Sequence, residues 1–156
     1  KRLGPDIYVG TSEDSLTGRY AVFNYLNIRS INTIICPKLK EIFGPCVVQC
    51  WANIFRQGEG IDEHRHIYDK STNTALIGSG NIFLYGDPTT GTYYEGVKHD
   101  NKVGELSLFP SDMLHGVPKN TTGDMRISMA IDVHTGDEVL LNTLVSEMPK
   151  RFFYIR

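Results

Sequence analysis

The most regular hydrophobic pattern in the chain is a strict alternation over residues 125–135, "MRISMAIDVHT". Its apolar positions are Ile127, Met129, Ile131 and Val133. The positions between them carry Arg126, Ser128, Ala130 and Asp132. Because successive side chains of a strand point to opposite faces, this pattern predicts a strand with one apolar and one semi-polar face. The semi-polar face suits the wall of a cavity better than the bulk of a core.

Five further segments contain the β-branched and aromatic residues that are typical of strands. They are residues 46–57, 64–68, 74–86, 92–97 and 104–110. The segment 74–86 is predicted to form one strand or two, because Gly78 and Gly80 interrupt it. Turn-forming residues at 58–60 and 87–91 separate these segments, and residues 115–124 are predicted to form a loop.

Helical signals are fewer. Apolar residues recur at helical spacing before the first strand, at Ile34, Ile35, Leu39, Ile42 and Phe43. Pro37 suits a first helical turn and Gly44 a helix end, so a short helix is predicted from about residue 37 to 43. Residues 1–20 are predicted to be irregular or extended. The tail 137–156 is predicted to hold a short helix and a last extended piece.

Six to eight short strands separated by turns predict a mainly-β fold, either a sandwich or a barrel, with a helix packed outside. Jelly rolls and cupin-like barrels belong to this class. A length of 156 residues predicts one domain, 1–156, and allows a sizeable core. The apolar runs are far shorter than the roughly 20 residues that a membrane span needs, so no membrane association is predicted.

Charge and cysteine content narrow the function classes. The formal net charge is -2 and the sequence contains no Lys/Arg block, so no clear nucleic-acid-binding surface is predicted. The three cysteines are too few and too odd in number for a disulfide framework, so a reducing, cytoplasmic setting is predicted. Cys46 and Cys50 are interpreted as small apolar residues of their strand rather than as metal ligands. A homodimer is compatible with the sequence.

Three histidines form the candidate metal site. His64 and His66, in "GIDEHRHIYDK", are two residues apart and would project from the same face of an extended segment. Two imidazoles in that position suit two neighbouring ligand positions on one metal ion. His115, which follows a predicted strand at the mouth of a loop, is the best candidate for a third ligand. Such a facial set leaves coordination positions open for substrate or oxygen.

Arg126 and Ser128 form the candidate anion site. Arg126 lies eleven residues after His115, on the semi-polar face that also carries Ser128. A planar guanidinium fork suits a carboxylate, and a hydroxyl two residues on can add a hydrogen bond. If this strand neighbours the strand before His115, a dicarboxylic acid can chelate the metal at one end and meet Arg126 at the other. Asn53 shares a face with Trp51 and could bind cosubstrate or substrate.

At this point the sequence resembles a known superfamily. The motifs are "W-x-N" (Trp51, Asn53), "H-x-H" (His64, His66), "LFPSDMLHGV" (108–117) and "R-I-S" (126–128). They resemble those of the iron(II)- and 2-oxoglutarate-dependent oxygenases, and are most similar to a small oxygenase family common in marine phages and bacteria. The resemblance spans about residues 46–133. It implies a double-stranded β-helix core that uses iron(II), 2-oxoglutarate and O₂ to hydroxylate or otherwise oxidise a substrate, with release of succinate and CO₂.

The resemblance carries over residue by residue, with one departure. His64 and His115 match the two histidine ligands, and Arg126 with Ser128 matches the pair that grips the far carboxylate of 2-oxoglutarate. Position 66 usually holds Asp or Glu, which completes a triad of two histidines and one carboxylate. Here it is His66.

Three interpretations of position 66 stay open. His66 binds the metal in a three-histidine site, as in some cupin-type dioxygenases. Alternatively, a nearby carboxylate from Asp62, Glu63 or Asp69 replaces it. In the third interpretation the site is weakened and the protein is not an oxygenase. Two other function classes therefore remain: a three-histidine dioxygenase or isomerase that does not use 2-oxoglutarate, and a non-enzymatic β-sandwich that serves as a binding or structural module. The sequence does not identify the substrate.

Overall fold

The structure is a computed structural model that describes residues 24–66, 75–147 and 149–156. The strands in these ranges are β1 (Cys46–Phe55), β2 (Ile61–His64), β3 (Ala75–Tyr85), β4 (Thr92–Tyr94), β5 (Val97–His99), β6 (Leu106–Phe109), β7 (His115–Val117), β8 (Arg126–Thr135) and β9 (Phe153–Ile155). The helices are α1 (Arg29–Phe43) and α2 (Glu138–Glu147). Neither helix is long and apolar enough to cross a membrane. The predicted lead-in, residues 1–20, lies outside the described residues.

The strands form two antiparallel sheets. The larger sheet has the order β6-β3-β8-β1-β9, and the smaller has the order β2-β7-β4-β5. Their inner faces are in contact, since Phe55 of the larger sheet packs against Val117 of the smaller one. A side-chain hydrogen bond from Arg126 to Thr92 also joins them. The predicted mainly-β class is therefore confirmed.

Strand β8 lies at the centre of the larger sheet, between β3 and β1. Its apolar residues Met129, Ile131 and Val133 are buried under α1, together with Ile35 and Leu39 of that helix. The alternating strand predicted over 125–135 is thus confirmed, and so is the division of its two faces. The semi-polar face, which begins at Arg126, lines the space between the sheets.

The predicted start of the first helix is wrong, because α1 begins at Arg29 and contains Pro37 in its interior. An internal proline costs about 3 kcal/mol. Burial of Ile35 and Leu39 against the sheet contributes about 1.5–3 kcal/mol each, which offsets that cost. The predicted end is confirmed, since Gly44 caps the helix with a positive φ of 69°. The helix is therefore longer than its local sequence predicts, because packing against the sheet offsets the cost of the internal proline.

Two other predictions are corrected at the smaller sheet. The strand predicted over residues 92–97 is instead two strands over 92–99, β4 and β5, joined by Glu95 and Gly96 with φ values of 47° and 79°. Two consecutive positive φ values are typical of a tight hairpin turn. The predicted loop 115–124 begins instead with β7, a three-residue strand between β2 and β4. A strand this short has no periodicity for a sequence pattern to reveal.

Candidate functional site

The pairing of β2 with β7 places two of the three candidate histidines side by side. His64 lies opposite His115 in this pair. The two backbones approach closely at Gly116, where a Cβ atom would lie 3.0 Å from the backbone nitrogen of Glu63. Glycine suits the position next to His115, because a Cβ atom there would require the two backbones to separate by a few tenths of an ångström.

His66 reaches the same place by a different route. Strand β2 ends at His64, so the prediction of a strand that includes His66 is wrong within the described residues. The backbone N–H of His66 donates instead to the carbonyl of Ser111, at 2.9 Å. This bond ties the segment to the chain just before β7, and the His66 ring stacks beside His64 with centroids 5.3 Å apart.

The three imidazoles form one group. One ring nitrogen from each of His64, His66 and His115 lies within 4.8 Å of the other two. The Nε2 atoms of His64 and His66 are only 3.3 Å apart. The ring centroid of His115 lies 4.4 Å from that of His64 and 4.9 Å from that of His66. The structure therefore brings together all three predicted metal ligands, with spacing that could hold one metal ion.

The hydrogen bonds of the Nδ1 atoms leave the Nε2 atoms available. Nδ1–H of His64 donates to the Asp62 carbonyl at 2.8 Å, and Nδ1–H of His115 donates to the Met113 carbonyl at 2.9 Å. Nδ1–H of His66 donates to the Asp132 carboxylate at 2.6 Å. With the proton on Nδ1, the Nε2 atom of a neutral imidazole carries a lone pair, which is the form that binds metals. The Nε2 atoms of His64 and His66, which are 3.3 Å apart, can share a hydrogen bond when one ring is protonated, or can both bind one cation.

The electrostatic environment favours neutral imidazoles at two of the three positions. Burial, together with the neighbouring His64 and His66, lowers the pKa of His115 to about 4, although the Met113 carbonyl and the charge of Asp132 oppose this shift. Burial also lowers the pKa of His64. Burial alone would lower the pKa of His66, but the charge and hydrogen bond of Asp132 outweigh it and raise that pKa.

Two further residues complete the surroundings of His66. Asp132, on the semi-polar face of β8, accepts a hydrogen bond from Ser79 at 2.6 Å as well as the bond from His66. Ser79 also lies 2.9 Å from Nδ1 of His66. The sequence pattern assigns neither Ser79 nor Asp132 to the metal site. The available signal was that Asp132 shares a face with Arg126.

The carboxylates proposed as substitutes for His66 are not part of the group. Asp62 and Glu63 are exposed, and the group of candidate ligands among the described residues contains neither of them. Asp69 lies outside the described residues. Within the described part of the chain, the donor set is therefore three imidazoles.

Arg126 is a buried cation on the same inner face. Its side chain is among the largest that are fully buried, with 1% of the residue exposed. Nη1 donates to Ser128 at 3.1 Å and Nη2 donates to Thr92 at 3.0 Å. The guanidinium lies over the rings of Phe55 and Phe83, 5.7 and 5.6 Å from their centroids. Burial lowers the pKa of Arg126 to about 10, so the side chain stays charged at neutral pH.

No acid in the described part of the chain compensates this charge. None of the ion pairs among the described residues involves Arg126. Its Nε atom is buried and has no hydrogen-bond partner there. A buried charge is costly unless it is paired, and buried donors are normally satisfied. An anion bound next to this guanidinium could supply both the missing acceptor and the opposite charge.

A pocket lies between the sheets next to residues that contact Arg126, although Arg126 itself does not line it. Its walls include Phe83, Thr92 and Tyr94, and exposed residues such as Lys102 and Glu105 stand at its edge. Thr92, which binds Arg126, also donates to the Asn101 side chain at 3.3 Å. Thr92 was not identified from the sequence, because an isolated threonine in a strand carries no distinguishing signal.

Tyr94 links the pocket with the imidazole group. Its ring centroid lies 6.4 Å from that of His115 and 4.9 Å from that of Phe109. Burial raises the pKa of Tyr94, whereas hydrogen bonds with Ser107 and Thr92 lower it. The structure places Tyr94 between the three imidazoles and the residues around Arg126.

Asn53, the remaining predicted site residue, is half-buried on β1 directly opposite Ser128. It alternates in phase with Trp51, whose ring centroid lies 6.3 Å from that of His66. It thus belongs to the face of β1 that meets the imidazole group.

Comparisons with known proteins bear on the fold. No protein-family model matches the sequence, and no curated protein matches it. Among solved structures, a Pseudomonas putida prolyl-4-hydroxylase aligns with a TM-score of 0.50 and 17% identity, over 71% of this chain and 64% of that chain. A cupin 2 conserved barrel domain protein from Salinispora arenicola aligns with a TM-score of 0.45 and 15% identity, over 64% of this chain and 71% of that chain.

These similarities concern the fold alone. The alignment with the prolyl-4-hydroxylase agrees with the two antiparallel sheets, and the predicted jelly-roll or cupin-like fold class is confirmed. The narrower resemblance, to a small oxygenase family of marine phages and bacteria, stays a prediction.

Proposed function

We propose that this protein is an Fe(II)- and 2-oxoglutarate-dependent dioxygenase, which oxidises a C–H bond of its substrate and releases succinate and CO₂. The observation that carries the proposal is the buried guanidinium of Arg126, which has no acidic partner among the described residues and lies on the inner face that also meets three clustered imidazoles. A dicarboxylic acid with a chelating keto acid at one end satisfies both features. A metal enzyme that used no such anion would leave the burial of Arg126 without compensation.

The residues present fit an iron site. His64, His66 and His115 would hold the ion through Nε2, because each Nδ1 is already engaged as a hydrogen-bond donor. Imidazole nitrogen is a suitable donor for iron, and three protein ligands leave other positions to small molecules. When bound, the iron supplies the one-electron and O₂ chemistry that side chains cannot perform.

The chain itself binds and orients the cosubstrate. Arg126 would hold the far carboxylate, with the Ser128 and Thr92 hydroxyls keeping the guanidinium in place at 3.1 and 3.0 Å. Asn53, opposite Ser128, is proposed to bind the same cosubstrate from β1. The rings of Phe55 and Phe83 exclude water from the guanidinium, and a water-poor environment strengthens its bond to a carboxylate.

The proposal is tested by anaerobic titration with Fe(II) and 2-oxoglutarate. A visible absorption band that requires both components is expected, followed by O₂-dependent formation of succinate. Glutarate is the matched control, because it has both carboxylates but no keto group for chelation and should give no band. Metal binding without the band and without succinate would favour the three-histidine enzyme that does not use 2-oxoglutarate.

Metal binding should also stabilise the fold. At a free Mn(II) concentration one hundred times its Kd, the free energy of unfolding should rise by about 2.7 kcal/mol, because the ion binds only the folded protein. Denaturant unfolding with and without Mn(II), a redox-stable substitute for Fe(II), measures this change. A protein purified without chelators that carries no metal, and gains no stability from Fe(II) or Mn(II), would favour the non-enzymatic β-sandwich.

A further inference from the structure

Asp132 is a buried carboxylate that contacts only one of the three imidazoles. It is 7% exposed, and its Oδ1 accepts hydrogen bonds from His66 and Ser79, both at 2.6 Å. Among the described residues, the ion pair recorded for Asp132 is the one with His66. One oxygen of the carboxylate, Oδ1, thus accepts both hydrogen bonds and lies next to one ring nitrogen.

The other two imidazoles have neutral partners. His64 and His115 donate to backbone carbonyls, those of Asp62 and Met113. A carbonyl orients an imidazole, but a carboxylate also makes it a stronger electron donor to a metal on its far nitrogen. At 2.6 Å the bond from His66 to Asp132 has the length of a strong, charge-assisted hydrogen bond. The three ligands are therefore electronically unequal, and His66 is the exception.

His66 occupies the position at which the iron(II)- and 2-oxoglutarate-dependent oxygenases, which the sequence resembles, usually have Asp or Glu. Here the His66 ring spans from Asp132, bound at Nδ1, to the shared group, where its Nε2 lies 3.3 Å from that of His64. The Asp132 carboxylate is therefore present next to this position, but the ring of His66 separates it from the shared imidazole group.

We propose that Asp132 is a positioning residue that supplies, through His66, the negative charge that a ligand carboxylate would supply directly. This inference rests on the proposed metal site. Asp132 fixes the ring and tautomer of His66, and its charge offsets part of the extra positive charge that a third neutral ligand leaves on the ion. Ser79 holds the carboxylate in place without changing its charge.

Asp132→Asn is the decisive variant, because it removes the charge and keeps the shape. The carbonyl oxygen of the introduced amide can still accept from His66 and Ser79. We expect the Kd for Mn(II) to rise about 10–100-fold. We also expect the Fe(III)/Fe(II) midpoint potential of the iron-loaded protein to rise, since losing a nearby negative charge destabilises Fe(III) more than Fe(II).

Two matched variants separate charge from structure. Ser79→Ala removes a hydrogen bond to Asp132 but no charge, so it should leave the midpoint potential unchanged. The loss of a residue that bonds directly to a metal-binding histidine typically raises the Kd at least about 10-fold, and Ser79→Ala should change the Mn(II) Kd by less than that. Asp132→Glu keeps the charge on a longer side chain and should keep the potential near that of the wild type. If Asp132→Asn does not fold, Asp132→Glu decides the question, because a clearly raised potential in a variant that keeps the charge contradicts the proposal.

The outcomes also distinguish this inference from the proposed function. If Asp132→Asn has wild-type potential and the same metal affinity as Ser79→Ala, Asp132 is only structural and the inference is wrong. If the wild type binds metal but gives no band with 2-oxoglutarate, the proposed function fails, while the comparison of these variants still decides the role of Asp132. A wild type that binds no metal overturns both.

Discussion

Replacing Arg126 with methionine is expected to weaken 2-oxoglutarate binding strongly and, at the same time, to stabilise the ligand-free protein. Removing one partner of a buried, hydrogen-bonded charge pair costs about 2–5 kcal/mol of binding. The Kd for 2-oxoglutarate should therefore rise at least about 30-fold. Metal binding should stay nearly intact, because Arg126 is not one of the three residues that could hold the metal ion.

The opposite sign for stability follows from the burial of Arg126. In the ligand-free protein Arg126 is 1% exposed, and its guanidinium has no acidic partner among the described residues. Methionine has a similar length, packs against Phe55 and Phe83, and carries no charge. Replacing buried charges with apolar side chains of similar volume stabilises proteins by about 1–4 kcal/mol in favourable cases.

Calorimetric titration of the Mn(II)-loaded protein with 2-oxoglutarate measures the first effect, and denaturant unfolding of the apoprotein measures the second. Arg126→Lys is the matched control, since it keeps a positive charge without the planar fork and should bind with intermediate affinity. Wild-type affinity in Arg126→Met would show that Arg126 does not hold the cosubstrate. A large loss of apoprotein stability would show that the residue is structural instead.

Replacing His115 with alanine should remove metal binding. Loss of an outer partner of a ligand typically costs about 10–100-fold in affinity, so loss of a ligand itself should raise the Kd for Mn(II) by more than about 100-fold. The absorption band with Fe(II) and 2-oxoglutarate should disappear with it. The variant should still fold, because the imidazole is neutral and the backbone of β7 keeps its pairing with His64 and Tyr94.

His99→Ala is the control for this variant. His99 ends β5, is exposed, and lies outside the imidazole group. The His99→Ala variant should bind Mn(II) with wild-type affinity, as measured by calorimetry or by the loss of the electron paramagnetic resonance signal of free Mn(II). An equal loss in both variants would point to a general effect of removing imidazoles. No loss in His115→Ala would place the metal elsewhere.

The sequence was most informative where a local rule applied. The period of two in residues 125–135 identified both faces of β8, because alternation depends only on the geometry of an extended backbone. Gly44 marked the end of α1 for a similarly local reason. The helix start, the hairpin at Glu95 and Gly96, and the short strand β7 were missed, because packing or pairing with remote strands decides them.

The candidate site divides in the same way. The sequence by itself selected the candidate residues, three histidines and Arg126 with Ser128, because residue type and spacing reveal donors and charges. Only the tertiary structure decided what surrounds each group. Asp132 lies 66 residues from His66, and Thr92 lies 34 residues from Arg126. Whether a buried charge has a partner depends on every segment packed around it, and a local pattern in the chain contains no information about that.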